Sequence, residues 1–459
     1  MKTFVVTITL VLISVAGSAQ EFLGYRTSNY AGVNGVFFNP ATIAGNAYKW
    51  NVNLASIHAL VNNNQAAYTF KSSGHLMNPD SLLNELTSPT KGATDALVAT
   101  NIIGPSAMLR INQNSAVALT TRSRVMVNGD RLEGRLFDNL AENFTEGVEM
   151  PYTINSNENM KLNINTWTEY GLSYARSFST LPQHQFKAGA SVKYLAGVFG
   201  GYLQLDRIKA TVDEDPQNSE IYMADATGKV NIGMSGINFK DINANKFLTV
   251  KNSGWGADIG FVYEYRNNLH RPNEYKFRLG ASVLDIGRLK YKKDQNRSGA
   301  YSLDVTGAER IYSTEFQGLT IDDLKQYLDS RLNYFIPDPA GTSNEYTTSL
   351  PITLQVDADY SFSRRIFLNF AGNISLQSNG QGLTNRYPTG FSVTPRFESR
   401  VFSAFLPVNY NSFSHLNVGL GFRAGPLFIG SGSAITALFG NSKQADFYIG
   451  INFGALIRR

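Results

Sequence analysis

Asp357 and Asp359 are the nearest thing in this chain to paired carboxylates. Two positions apart on an extended strand, they share one face. Like charges that close repel unless cations meet them. Lys187, Lys193, Lys276 and Arg278 have the strand parity to do so. The expected outcome is a salt-bridge network on that face, or a polar gate or cation site. Other residue sets carry less chemistry. The five histidines, His58, His75, His184, His270 and His415, are never spaced i and i+4, and cysteine is absent. That pattern predicts no metal site, no cofactor site and no cysteine nucleophile. Ser414 and His415 are adjacent, so on a strand they point to opposite faces. Ser88-Pro89-Thr90-Lys91 fits Ser-x-x-Lys only formally, beside a proline and without a companion motif. No Gly-x-Ser-x-Gly elbow is present. Gly419, Gly421 and Gly425 do not precede a helix, as a dinucleotide loop requires. Asp213-Glu214-Asp215 lacks the spacing of a calcium loop and reads as a solvated turn. No catalytic residue is assigned, and the chain is read as a non-enzyme.

Composition narrows the class further. The 459 residues are 43% hydrophobic and 17% charged, with a formal net charge of +5. The apolar fraction is too high for disorder, and the charged fraction lies below the roughly 25% of soluble domains. With no basic run, nucleic acid is not an expected partner. Tyr (23), Phe (29) and Gly (40) favour strands over helices.

The start of the chain reads as an export signal. Lys2 precedes the apolar stretch from Phe4 to Val15, and Ala16 to Ala19 are small. Cleavage is expected after Ala19, so residues 1–19 are the signal peptide. The stretch is too short for a bilayer-spanning helix.

The rest of the chain alternates with a period of two. Ile352, Leu354, Val356, Ala358, Tyr360 and Phe362 interleave with Thr353, Gln355, Asp357, Asp359 and Ser361. Ile366, Leu368, Phe370, Ile374 and Leu376 repeat the pattern, as do Phe186 to Tyr194, Ile259 to Tyr265, Leu416 to Phe422 and Phe447 to Phe453. Each is a strand with one apolar face. The strands are long, their polar face is Gly, Ser, Asn and isolated charge, and aromatics recur near their ends. Those features suit a membrane barrel better than a soluble sandwich. Tight connections at 112–114, 363–365, 397–399 and 425–426 alternate with long ones at 73–104, 128–163, 198–252, 287–349, 378–388 and 435–444. Fifteen strand-like segments can be counted. Joining 50–61 to 65–72 as one strand leaves fourteen, an even number as bacterial barrels have. The expected fold is therefore all-β: a transmembrane antiparallel β-barrel over residues 49–459. Short helices are expected in the extracellular loops. One is at Ile321, Leu324, Leu328 and Leu332 with Thr320 and Asp323 as a capping box, and one at Leu136 to Phe144. The charges at Asp357, Asp359, Lys187, Lys193, Lys276 and Arg278 would then face the lumen.

Residues 29–44 contain Asn39-Pro40-Ala41 after a run of small residues. That opening resembles the start of outer-membrane proteins similar to the fatty-acid transporter FadL, whose relatives include PorV-like proteins of a secretion apparatus. The whole chain resembles an uncharacterised outer-membrane family of Bacteroidota. The resemblance implies an N-terminal hatch over residues 20–48, with Asn39, Pro40 and Ala41 as its motif, inside a fourteen-strand lumen. It also implies the outer membrane of a Gram-negative bacterium, lipid as a partner, and passive passage of hydrophobic or small amphipathic solutes. The alternative it implies is a non-conducting barrel that binds secretion-machinery or surface proteins through 198–252 and 287–349.

Overall fold

The structure, a computed structural model, describes residues 22–65, 93–133, 150–156, 159–237, 252–267, 275–316, 319, 322–339, 343–377 and 382–457. The expected signal peptide, the segment 65–72 beyond Gln65, the helix at 136–144 and Ser88 to Lys91 lie outside these residues.

The chain closes into an antiparallel barrel of fourteen passes. They are β1 (Tyr48–Asn63), β2 (Ala93–Ile103) continued by β3 (Ser106–Arg110), and β4 (Ser115–Glu133). A short outer strand, β5 (Tyr152–Asn155), precedes the passes β6 (Asn159–Leu181) and β7 (His184–Glu214). After the outer strand β8 (Ile221–Gly236) come β9 (Asn252–Tyr265) and β10 (Phe277–Lys292). Outer strands β11 (Gly299–Val305), β12 (Ile311–Tyr312) and β13 (Phe335–Pro337) lead to β14 (Glu345–Ser349), continued by β15 (Thr353–Ser361). The remaining passes are β16 (Ile366–Ser375), β17 (Gly390–Glu398), β18 (Phe402–Phe405) with β19 (Val408–Asn411), and β20 (His415–Val418) with β21 (Leu420–Ala424). They end with β22 (Leu427–Ser431) and β23 (Gln444–Leu456). Closure comes from β1 pairing antiparallel with β23, from Tyr48 opposite Leu456 to Asn62 opposite Gln444. A closed cylinder leaves no wall edge unpaired, which hydrocarbon demands.

The period-two pattern sets the two sides of the wall. Leu172, Val192, Phe261, Leu368, Phe370, Phe422, Ile449 and Phe453 face outward and are exposed. Their polar neighbours Ser173, Ser191, Asp357, Asp359, Asn369 and Asn452 are buried. An apolar belt this large is untenable in water and is what lipid covers. Trp50 and Trp255 face outward too, packed on Phe453 and Tyr194, as interfacial aromatics do.

The long connections depart from expectation. Wall strands run on into 93–103, 128–133, 198–214 and 287–292, and much of the rest is strand rather than loop. A tilted span needs only ~9–11 residues, whereas β7 has 31. Its far half pairs with β5 and β8, β8 pairs with β11 and β12, and β11 pairs with β13. Ile154, Phe199, Ile208, Val212, Ile232, Leu303 and Phe335 form the core of this outer module. Their strands carry apolar residues on the inner face as well, so the polar-in, apolar-out contrast disappears from the sequence. Helix α1 (Leu324–Ser330) sets Leu328 into that core. It starts behind Asp323, whose side chain makes no cap bond. A second helix, α2 (Ala434–Phe439), lies in the connection before β23.

Candidate functional site

Residues 22–47 lie inside the barrel as turns and two 3-10 helices, Gly32–Phe37 and Pro40–Ile43. Asn39 caps the second helix: its Oδ1 accepts from the Ala41 amide at 3.0 Å, and Pro40 occupies the first turn, where no amide donor is needed. The other end of the same side chain reads the wall. Asn39 Nδ2 donates to the Phe261 carbonyl at 3.1 Å and the Ala281 carbonyl at 3.3 Å, on neighbouring strands β9 and β10. Three inward glycines admit this approach. A Cβ on Gly189 would sit 2.6 Å from the Pro40 and Ala41 backbone; one on Gly260 would strike Asn39, and one on Gly280 would strike Asp357. The motif is therefore seated in a wall thinned by glycine on β7, β9 and β10.

Wall side chains fasten the rest of the segment. Asn51 Oδ1 accepts from the Val33 amide at 2.7 Å, Ser282 Oγ donates to the Phe38 carbonyl at 2.7 Å, and Asn452 Nδ2 donates to the Ala31 carbonyl at 2.7 Å. Arg278 donates to the Thr27 carbonyl at 2.8 Å, and Glu398 accepts from the Asn29 side chain at 2.8 Å. All but the Asn29 side-chain contact satisfy polar groups of irregular backbone, which a membrane protein tolerates only where protein or water meets them.

The charges fall into two inward clusters. In one, Arg396 pairs with Asp359 and with Glu398 at 3.0 Å, while Arg278 lies 3.1 Å from Asp359 and 3.7 Å from Asp357. In the other, Arg122, Arg124 and Lys193 meet Glu169, Asp258 and Asp285, with Lys193 2.6 Å from Asp285 and 2.7 Å from Asp258. Lys187 pairs with Glu264 at 2.6 Å. Asp357, Asp359, Lys187 and Lys193 are buried and Arg278 nearly so. Lys276 sits elsewhere: its Nζ donates to the Ser361 carbonyl and lies over the outward-facing ring of Tyr360. Among the described residues, no three His, Asp or Glu side chains are grouped to hold a metal. Ser414 is buried and His415 exposed beside Tyr410, on opposite faces of the wall.

A second closure comes from the other end. Residues 382–388, between β16 and β17, fold into the lumen and reach β2, β4 and β6, halfway round the ring of passes. A row of asparagines receives them. Asn128 Nδ2 donates to the Arg386 carbonyl at 2.9 Å, Asn163 Nδ2 to the Thr384 carbonyl at 3.2 Å, and Asn165 Nδ2 to Asn385 Oδ1 at 2.9 Å. Arg386 pairs with Asp130 at 2.7 Å and Asp95 at 3.2 Å. The Tyr387 hydroxyl accepts from Arg124 at 3.1 Å. Tyr387 belongs to a buried cluster that includes Leu60, Trp167, Leu195, Tyr291 and Phe413. The segment thus forms a strap across the barrel.

The model of a family described as "Family of unknown function (DUF5723)" matches residues 40–432. The chain belongs to this family. It is similar to the crystal structure of a Pseudomonas aeruginosa FadL homologue at 12% identity, over 95% of this chain and 97% of that one, with a TM-score of 0.41. The P. putida toluene transporter TodX is similar at 10% identity, 94% and 95% coverage and a TM-score of 0.41. The Ralstonia pickettii toluene transporter TbuX is similar at 9% identity, 94% and 95% coverage and a TM-score of 0.41. Among curated proteins nothing matches. In strand number and closure this DUF5723 chain is the fourteen-pass antiparallel barrel expected from its alternating pattern.

Sequence reasoning missed the strap in this DUF5723 chain, along with Arg122, Arg124, Glu169, Asp258 and Asp285. Arg122 and Arg124 share one parity on β4 and Glu169 lies inward on β6, but their outward neighbours Thr121, Ser123 and Thr168 are polar, so the alternation there is weak. Asp285 was hidden for a physical reason. It has a positive φ of 57° at a register shift between Val283 and Ile286, so strict alternation fails there.

Proposed function

We propose that this protein is an outer-membrane channel that passes small amphipathic or hydrophobic solutes passively through a lumen closed at rest. The observation that carries the reading is the way the lumen is filled. The N-terminal segment acts as a hatch, held by hydrogen bonds and a glycine seat, its apolar contacts with the wall divided between two separate clusters around Val33 to Ile43 and Phe22 to Tyr25. The hydrogen bonds among these contacts can be exchanged for water or solute at small net cost. Lipid on the outer face and a polar path inside favour work across the membrane rather than on it. Liposome swelling tests the reading. Chain lacking residues 20–47 and the 382–388 strap should admit small solutes that the intact chain admits slowly. Impermeable vesicles from both forms, with the barrel shown folded by heat-modifiable gel mobility, would sink it.

The outer module favours a second reading. A folded β-layer with its own core on top of the barrel suits a barrel that binds surface or secreted proteins. A stoichiometric partner, with no conductance in either form, would select that reading.

A further inference from the structure

The outer surface of the wall carries a depression of about 500 Å3 over β9, β10, β15 and β16. Strand register explains it. On one row Phe261 pairs with Ala281, Ala281 with Val356 and Val356 with Gly372. On the next, Leu279 pairs with Ala358 and Ala358 with Phe370. The outward positions are therefore large at the sides and small in the middle. Phe261 and Phe370 form the walls, and Ala281, Val356 and Ala358 the floor. Behind the floor the barrel is one backbone thick, because Gly260 and Gly280 carry no side chain into the lumen. Asn39 donates there to the carbonyls of Phe261 and Ala281.

An apolar hollow alone selects nothing in a bilayer. The foot of this one adds charge. Three residues along β15 from Ala358, roughly 10 Å at ~3.3 Å per residue, the Ser361 carbonyl accepts from Lys276 Nζ at 2.7 Å. That ammonium lies outside the wall, 4.3 Å from the ring centre of Tyr360. Tyr360 and Phe362 pack edge to face at 4.9 Å, as aromatics at headgroup level do. Arg364 and Arg365 follow in the tight turn to β16, and both are exposed. The column thus runs from an apolar floor through an aromatic belt to three cations. Tight turns of such barrels face the periplasm, so the column spans the leaflet on that side.

We propose that this column binds one anionic glycerophospholipid of the periplasmic leaflet, an acyl chain lying in the depression and the phosphate meeting Lys276, Arg364 and Arg365. Guanidinium groups take phosphate oxygens in pairs, and basic residues at a membrane surface draw anionic lipid. A second copy of the chain fits the face less well, since a two-fold contact there would set the same arginine turns against each other. An apolar solute without a headgroup leaves the cations unused. The site goes beyond the channel reading and stands whether or not the lumen conducts.

The test uses the full chain, purified in detergent and stripped of lipid. Phosphatidylglycerol and phosphatidylcholine with the same acyl chains are added in turn, and binding is counted by native mass spectrometry. Phosphatidylglycerol should give one dominant adduct, at least about tenfold tighter than phosphatidylcholine. Arg364→Gln with Arg365→Gln should remove most of that preference. Ala281→Phe, which fills the depression with an apolar side chain, should weaken both lipids and keep the preference. Heat-modifiable gel mobility shows that each variant is folded. A phosphatidylglycerol with a photoreactive group in mid-chain should label the unsubstituted chain on peptides holding Leu279 to Ala281 and Val356 to Ala358. The inference is overturned by equal affinity for the two lipids, by a preference that survives the arginine substitutions, or by labelling spread evenly around the belt. It is overturned equally by a dimer that Ala281→Phe dissociates, which would give the face to a second copy.

Discussion

The two closures of the lumen are built on different principles. The hatch is seated by shape: Asn39-Pro40-Ala41 occupies a hollow that three glycines on three strands leave open. The strap is held by a row of side-chain amides from Asn128, Asn163 and Asn165, with one arginine between two aspartates. Steric fit resists any solvent, because backbone atoms cannot be displaced without moving the wall. Amide hydrogen bonds can be traded for water or solute hydroxyls at little net cost. Under the proposed channel reading, the strap is the easier closure to open and the N-terminal segment the one that sets the resting seal. In that reading they stand in series, so neither alone would govern flow.

Four changes test this contrast, beginning with the one that should cost most. Leu368→Arg on the lipid face should lower barrel stability by ~2–4 kcal/mol at mid-depth, read from folding in lipid vesicles. Both closures should keep their protease resistance. Asp357→Asn on the inner face should cost less. Equal tolerance on both faces would undo the assignment of sides. Next, Gly189→Leu drives a side chain into the Pro40 backbone, an overpacking worth about 1–3 kcal/mol. Proteolysis should then cut the hatch while hydrogen exchange at 382–388 stays slow. Release of both together would mean one closure, not two. Third, Asn165→Leu removes a hydrogen bond to the strap and should cost about 1 kcal/mol, with faster exchange at Asn385 and an intact hatch. Swelling rates in the Gly189→Leu, Asn165→Leu double variant should exceed the sum of the single effects, as gates in series require.

The smallest effect belongs to the outer module. Burial would raise the Asp329 carboxyl, but hydrogen bonds from Lys325 and Tyr301 outweigh it and hold its pKa below the usual carboxylate value. A depressed carboxyl stabilises above its unfolded pKa, and the contribution is lost as pH falls through the folded one. Exposure and screening keep this contribution small. Loosening of α1 should therefore be confined to strongly acid solution and vanish in Asp329→Asn, as followed by the environment of Tyr301. Any pH dependence near neutrality would need another group.

Much of the wall was legible because lipid on one side and a polar lumen on the other impose a period of two. Leu368 and Asn369 could be placed on opposite faces without coordinates. Asp357, Asp359, Lys187 and Lys193 followed from the same parity. Lys276 did not, because a long flexible side chain near a strand end can bend to a carbonyl and an aromatic ring outside. The outer module was illegible for the opposite reason. Residues such as Ile208, Ala210 and Val212 pack on another protein layer, and around them no solvent contrast marks the faces.

The order of residues alone determined long strands with one greasy side and the small-residue run ending in Asn39-Pro40-Ala41. These are local and periodic properties, set by what each side chain must touch. Only the tertiary structure decided that Gly189, Gly260 and Gly280 form one hollow, and that asparagines on β4 and β6 meet a connection more than two hundred residues away. Those relations depend on register and on closing the ring, and no short stretch of sequence encodes either.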